Sequence, residues 1–195
     1  MTPDIFAAMQ TAWESVRPRF EAYRLIVPGS PSFICQPQVC TAYCCHAYSV
    51  SMSEADVARM QRFEALEPVQ FLELDTDGTP VTLPLAQPYL LARKEGHCAQ
   101  LNAELGCGAY EGRPNACRLY PHFVVFWDAE AGRARTTASR RTAAAFEATR
   151  NRAPYSVVPL LLGHSECPGF TGEPLAEADW WPLFEQTYRL QYLAE

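Results

Sequence analysis

The residues able to do chemistry in this chain are its cysteines, and they are bunched. Cys35, Cys40, Cys44 and Cys45 fall within "CQPQVCTAYCCH", Cys98, Cys107 and Cys117 within "HCAQLNAELGCGAYEGRPNACRLYPH", and Cys167 stands alone later. Thiolates are soft donors, so several of them in one place suit zinc, iron or an iron–sulfur cluster rather than a hard cation. Neither block has the repeated close pairs of a zinc finger or zinc ribbon. Adjacent Cys44 and Cys45 are awkward partners on one tetrahedral ion, because neighbouring side chains leave the backbone in different directions. Two irons of a cluster, or two sites, suit that doublet better.

Each of His46, His97, His122 and His164 lies within five residues of a cysteine, which leaves mixed Cys/His ligation open. Arg113 and Arg118 flank Cys117, where fixed positive charge would offset a thiolate-bound centre and help set its potential. Tyr110 and Tyr120 are placed in the same segment to hydrogen-bond sulfur or to pack. An even count of eight cysteines is also compatible with four disulfides. The first residues, "MTPDIFAAMQTAWESV", lack a basic stretch followed by an apolar one, so the expectation is a cytoplasmic protein with reduced thiols.

These residues must be positioned by the elements around them. Ile5, Phe6, Met9, Trp13, Val16, Phe20 and Tyr23 follow a helical period across residues 4–27, with Pro18 as a kink or break. Ser53 and Asp56 form a capping-box pattern for a helix burying Val57, Met60 and Phe63, so the first cysteine run sits just before a helix whose positive end favours thiolates. "VQFLELDTDGTPVTLPL" reads as a hairpin about Asp77-Gly78, its second strand kept at an edge by Pro80 and Pro84. Pro114 opens a short helix through Cys117, "FVVFW" is a strand, and "DAEAGRARTTASRR" turns it back before a helix near residues 139–150. Trp180, Phe184, Tyr188 and Tyr192 line one face of a closing helix.

The expected architecture is therefore α+β: a small, loop-rich single domain over residues 1–195, with short β-hairpins. Its cysteine core covers 35–122, Cys167 joins that core, and helices in 1–30 and 174–195 flank it.

Two segments, "CTAYCCHAYSVSMSEADVARM" and "CGAYEGRPNACRLYP", closely resemble the CxxCxxCC or YkgJ-type cysteine-cluster family, described as zinc- or iron-chelating and including flagellin lysine N-methylases. That family pairs a compact cysteine run ending in a doublet with a later C-x-x-Y-x-x-R-P-x-x-C-R-x-Y/F-P segment. Cys107, Tyr110, Arg113, Pro114, Cys117, Arg118, Tyr120 and Pro121 fill its places here. The first run departs from the family's spacing, with gaps of four and three residues before the doublet. The resemblance implies metal binding by the cysteines, with Cys167 as the trailing one and a 4Fe-4S centre as the better chemical fit; in the methylase branch it implies modification of a protein lysine. A protein substrate or partner follows from that branch. The alternative is a zinc-stabilised module in which thiolates form closed tetrahedral sites and nothing turns over.

Other classes lack support. A net charge of −6 argues against a general electrostatic grip on nucleic acid or anionic membrane, and no apolar run approaches spanning length. "GCGAYEG" has the wrong spacing for a dinucleotide loop and reads as turn chemistry around a ligand. Arg133, Arg135, Arg140, Arg141, Arg150 and Arg152 read as a solvated face, and Asp75 with Asp77 as a turn rather than a calcium loop.

Overall fold

A computed structural model describes residues 4–85 and 87–193. From the N-terminus come α1 (Ile5–Val16), a 3-10 turn (Arg17–Arg19), β1 (Tyr23–Leu25) and β2 (Pro31–Phe33). Next are α2 (Tyr43–Ala47), β3 (Ser51–Met52), α3 (Glu54–Glu64), α4 (Pro68–Phe71), β4 (Tyr89–Leu90), β5 (Arg93–Lys94), β6 (His97–Cys98) and α5 (Asn115–Leu119). The rest is β7 (His122–Asp128), β8 (Arg133–Arg135), α6 (Arg140–Arg150), β9 (Val157–His164), β10 (Phe170–Pro174) and α7 (Glu177–Tyr192). The fold is α+β, and the strands pair antiparallel. It divides into two compact units, one made of the chain up to Ile34 with the chain from Pro121 onward, the other of Cys35–Tyr120.

The first unit is built on a sheet ordered β1-β9-β7-β8. Val124, Val125 and Phe126 of β7 and Leu160, Leu161 and Leu162 of β9 are wholly buried. Such continuous apolar runs belong to strands covered on both faces, here by α1, α6 and α7. Asp4 caps α1 by accepting the Phe6 and Ala7 N–H groups at 3.0 and 3.1 Å, and Ile5, Met9, Trp13 and Val16 turn inward at helical spacing. The helical period read through Tyr23 stops earlier: after Pro18, which cannot donate, Tyr23 joins β1 and pairs with His164. The arginines near residues 133–152 are not simply solvated. Arg135 and Arg141 pair with the buried Asp128 at 2.8 and 3.1 Å, Arg150 lies 3.8 Å from Glu185, and Arg152 pairs with Glu177. Burial opposes ionisation of Asp128, and the Arg135 and Arg141 guanidiniums outweigh it, holding the carboxyl below its usual range. Residues 1–3, 194 and 195 of the flanking segments lie outside the described residues.

The second unit packs Met52, Val57, Met60, Phe71, Leu72, Leu91, Cys98 and Ala109 into one apolar cluster, with Cys45 and Cys107 against it. The capping box forms as expected, Ser53 Oγ accepting the Asp56 N–H at 3.2 Å and Asp56 accepting the Ser53 N–H at 3.0 Å. Phe63 is a correction: it is 55 % exposed under Arg62, because the packed face of α3 runs Asp56, Val57, Met60 and on to Glu64. The hairpin about Asp77-Gly78 is also reduced. Pro68 opens α4 within its first arm, and the arms meet only at the Leu74↔Pro80 bridge, with Asp75 Oδ1 accepting the Asp77 and Thr79 N–H groups. That bonding accounts for the acidic pair as a turn.

Candidate metal centre

Five thiols come from four stretches of the second unit, where Cys98 belongs to the apolar cluster and Cys45 and Cys107 pack against it. Cys44 and Cys45 lie on α2, a single helical turn entered through Ala42, a non-glycine residue held left-handed at φ 53°. Their sulfurs stand 4.0 Å apart, so the doublet that reads from sequence as awkward on one ion has sulfurs close together. One step along a helix turns a side chain by about 100°, and a cysteine is too short for that rotation to carry its sulfur far. The edge of a tetrahedron with zinc–sulfur bonds of about 2.3 Å is about 3.8 Å, close to the observed spacing.

Cys98 comes from the β5–β6 hairpin. The Cys45 thiol hydrogen-bonds to Cys44 and to Cys98, keeps its own proton, and so lowers Cys44 to about 7 and Cys98 to about 6. The Gln100 N–H on Cys98 Sγ at 3.4 Å and the Arg93 charge act in the same direction. Cys107 is brought back beside this hairpin by a loop closed on itself. Asn102 Oδ1 accepts the Glu104 and Gly106 N–H groups at 3.1 and 2.7 Å, Leu105 is left-handed, and Leu101 bridges Cys107. The glycine-rich "GCGAYEG" segment is thus turn chemistry, as its spacing implies; a Cβ on Gly108 would stand 3.2 Å from the Gln100 carbonyl oxygen. Cys117 lies on α5, opened by Pro114. Burial pushes it up to about 12, and the charges of Cys98, Cys107 and Cys44 reach it in the same sense.

Two scaffolds hold these stretches. Arg93 donates to the carbonyl oxygens of Tyr48, His46 (2.8 Å) and Gly96, clamping the end of α2 to the Cys98 hairpin. On α3, Asp56 Oδ1 accepts the Asn115 N–H at 2.8 Å and Glu64 Oε1 the Gly112 N–H at 2.7 Å, seating the segment that leads to Cys117. Sequence reasoning missed both. Arg93 stands in no motif, and Asp56 is fully explained locally as a cap.

Other residues singled out from sequence lie as follows. Cys35 is exposed, and Cys40 is half-buried with its N–H on the Gln36 carbonyl at 2.9 Å. Cys167 belongs to the first unit, buried in the turn after β9. All eight cysteines are free thiols. Arg113 lies over the Tyr110 ring at 3.6 Å, its charge reaching Cys107 and Cys117, whereas Arg118 donates to Asn115 Oδ1 at 3.2 Å. Tyr120 packs on Tyr48, ring centroids 5.8 Å apart. A cavity of about 200 Å³ in the first unit, lined by Ile5, Met9, Tyr155 and Val157 among others, contains neither cysteine nor histidine.

Among the described residues, no group of three or more His, Cys, Asp or Glu side chains is placed to hold a metal ion. The donor chemistry nonetheless suits a soft metal: five sulfurs in one unit, two of them biased toward thiolate and three at its apolar cluster. No helix among the described residues is long and apolar enough to cross a membrane. No curated protein and no solved structure matches the chain. A family model described as "Putative zinc- or iron-chelating domain" matches residues 34–148, more than half of the chain and all seven cysteines of the two blocks. The chain belongs to this CxxCxxCC family.

Proposed function

We propose that the second unit holds one thiolate-ligated metal centre through Cys44, Cys45, Cys98 and one of Cys107 and Cys117, with a single tetrahedral zinc or iron ion as the occupant. The observation that carries this reading is the cysteine doublet, its sulfurs 4.0 Å apart, with the charge of Cys98 reaching Cys45 from a distant hairpin. Such close sulfurs favour one ion over a 4Fe-4S cluster, whose ligands spread over the corners of a metal–sulfide cube. Family membership supports zinc or iron equally.

A 4Fe-4S centre used in redox chemistry or protein modification is the second reading. It is favoured by the gathering of five thiols where one ion needs four, and by the Arg113 charge beside Cys107 and Cys117. Anaerobic purification with metal analysis and an absorption spectrum tests both. A colourless protein with about one zinc per chain, or a mononuclear iron spectrum, supports the first. Brown protein with several irons and acid-labile sulfide supports the second. Protein free of metal after purification and anaerobic reconstitution overturns both.

A further inference from the structure

Beside the thiols, the same two elements carry a second pair of donors. His46 follows Cys45 on α2, and His97 precedes Cys98 on β6. The imidazole centroids are 5.5 Å apart with the planes at 72°. The pairs are successive rungs of one ladder. On the inner rung, half-buried Cys45 meets buried Cys98; on the outer rung, exposed His46 meets half-buried His97. Arg93 braces the outer rung, since it binds the His46 carbonyl and the hairpin turn at Gly96.

This spacing suits a shared ion. A metal about 2.0 Å from a ring nitrogen lies about 3.2 Å from that ring's centroid, and a tetrahedral angle at the metal then separates two centroids by about 5.2 Å. His97 Nδ1 lies 2.8 Å from the Cys98 carbonyl oxygen. That oxygen can only accept, so Nδ1 carries the proton and Nε2 keeps the lone pair, the arrangement seen in metal-ligating histidines.

We propose that His46 and His97 form an outer, two-imidazole site for a divalent zinc or ferrous ion, and that they pass the ion inward to Cys45 and Cys98. Two protein ligands leave the remaining positions to water, so the site is weak and labile, as a transfer site must be. The transfer is ligand substitution without change of oxidation state. Imidazole nitrogens and waters leave the ion, sulfurs enter, and each protonated thiol gives its proton to solvent. The inward step rests on the thiol centre proposed above, whereas the outer site does not.

The test uses reduced, metal-free full-length protein and Co²⁺ as the probe, followed anaerobically by stopped-flow absorption of the sulfur-to-cobalt band. Paramagnetic broadening of the histidine ring signals is recorded in parallel. The His46→Ala/His97→Ala chain is expected to reach the wild-type final band about tenfold more slowly at limiting Co²⁺. In a Cys44→Ser/Cys117→Ser chain, Co²⁺ is still expected to broaden the His46 and His97 rings. An unchanged loading rate overturns the proposal, and so does a reduced final band, which would make the histidines ligands of the inner centre. If the wild type gives no sulfur-to-cobalt band, the thiol-centre reading fails by itself, and the ring broadening decides the outer site: its presence supports the site and its absence overturns it. Circular dichroism checks folding; if the double variant is unfolded, the single variants His46→Ala and His97→Ala replace it with the same expectations.

Discussion

Asp56 is 1 % exposed, yet both carboxylate oxygens are engaged: Oδ2 by the Ser53 N–H and hydroxyl, Oδ1 by Arg59 at 2.6 Å and by the Asn115 N–H. Removing one partner of a buried pair strands the other charge. Asp56→Asn is therefore expected to lower the free energy of unfolding by about 3 kcal/mol in urea titrations; an unchanged midpoint would contradict the anchoring role. For the sulfurs, Cys44→Ser and Cys98→Ser are each expected to purify with less than about a tenth of the wild-type metal, because assembly of a thiolate site and folding are coupled. Cys35→Ser, at the exposed edge, is expected to retain its metal. Equal metal content in all three would refute the ligand set. Sequence picks out every one of these cysteines. The proposed place of Cys98 rests on its interaction with Cys45, more than fifty residues earlier, which nothing local to either residue announces.

Among the elements, α3 is the principal positioning device of the second unit. Its Asp56, Arg59, Met60 and Glu64 present a continuous face to the segment from Gly112 to Asn115. Gly112 is there because a Cβ would stand 2.8 Å from Glu64 Cγ and 3.2 Å from the Met60 Cα. Gly112→Ala must push the segment off the helix, with an expected cost of about 2 kcal/mol and weaker metal retention in a chelator challenge. Wild-type stability and retention would show that this close approach is not needed. The cap of α3, the Pro114 opening of α5 and the apolar strand β7 are legible in sequence because each is set within a few residues. The end of α1, the reduced 74–80 hairpin and exposed Phe63 are less so. Those depend on which distant surface covers the segment, and periodicity does not carry that information.

At the scale of the whole chain, the α+β class and the cysteine-rich segment are legible, while the division into two units and the ion pairs that hold the basic segment are long-range outcomes. The first unit carries its own pH dependence. Burial lowers His122 to about 4, its ring lying against Phe33 and Phe170 with centroids 5.9 and 5.6 Å away. Between the unfolded value of 6.5 and that folded value, the unfolded chain binds a proton that the fold refuses. Stability therefore falls as the pH falls through this window, by about 3 kcal/mol from this residue, and His164, lowered in the same direction, adds to the loss. His122→Phe should flatten the acid limb in urea melts taken across the window, and an unaltered slope would place the dependence elsewhere. The central claim concerns sulfur around metal, and X-ray absorption at the zinc or iron edge of the anaerobically purified protein addresses it most directly. The account predicts a first shell of about four sulfurs near 2.3 Å with no metal–metal vector. A shell dominated by nitrogen and oxygen would contradict it.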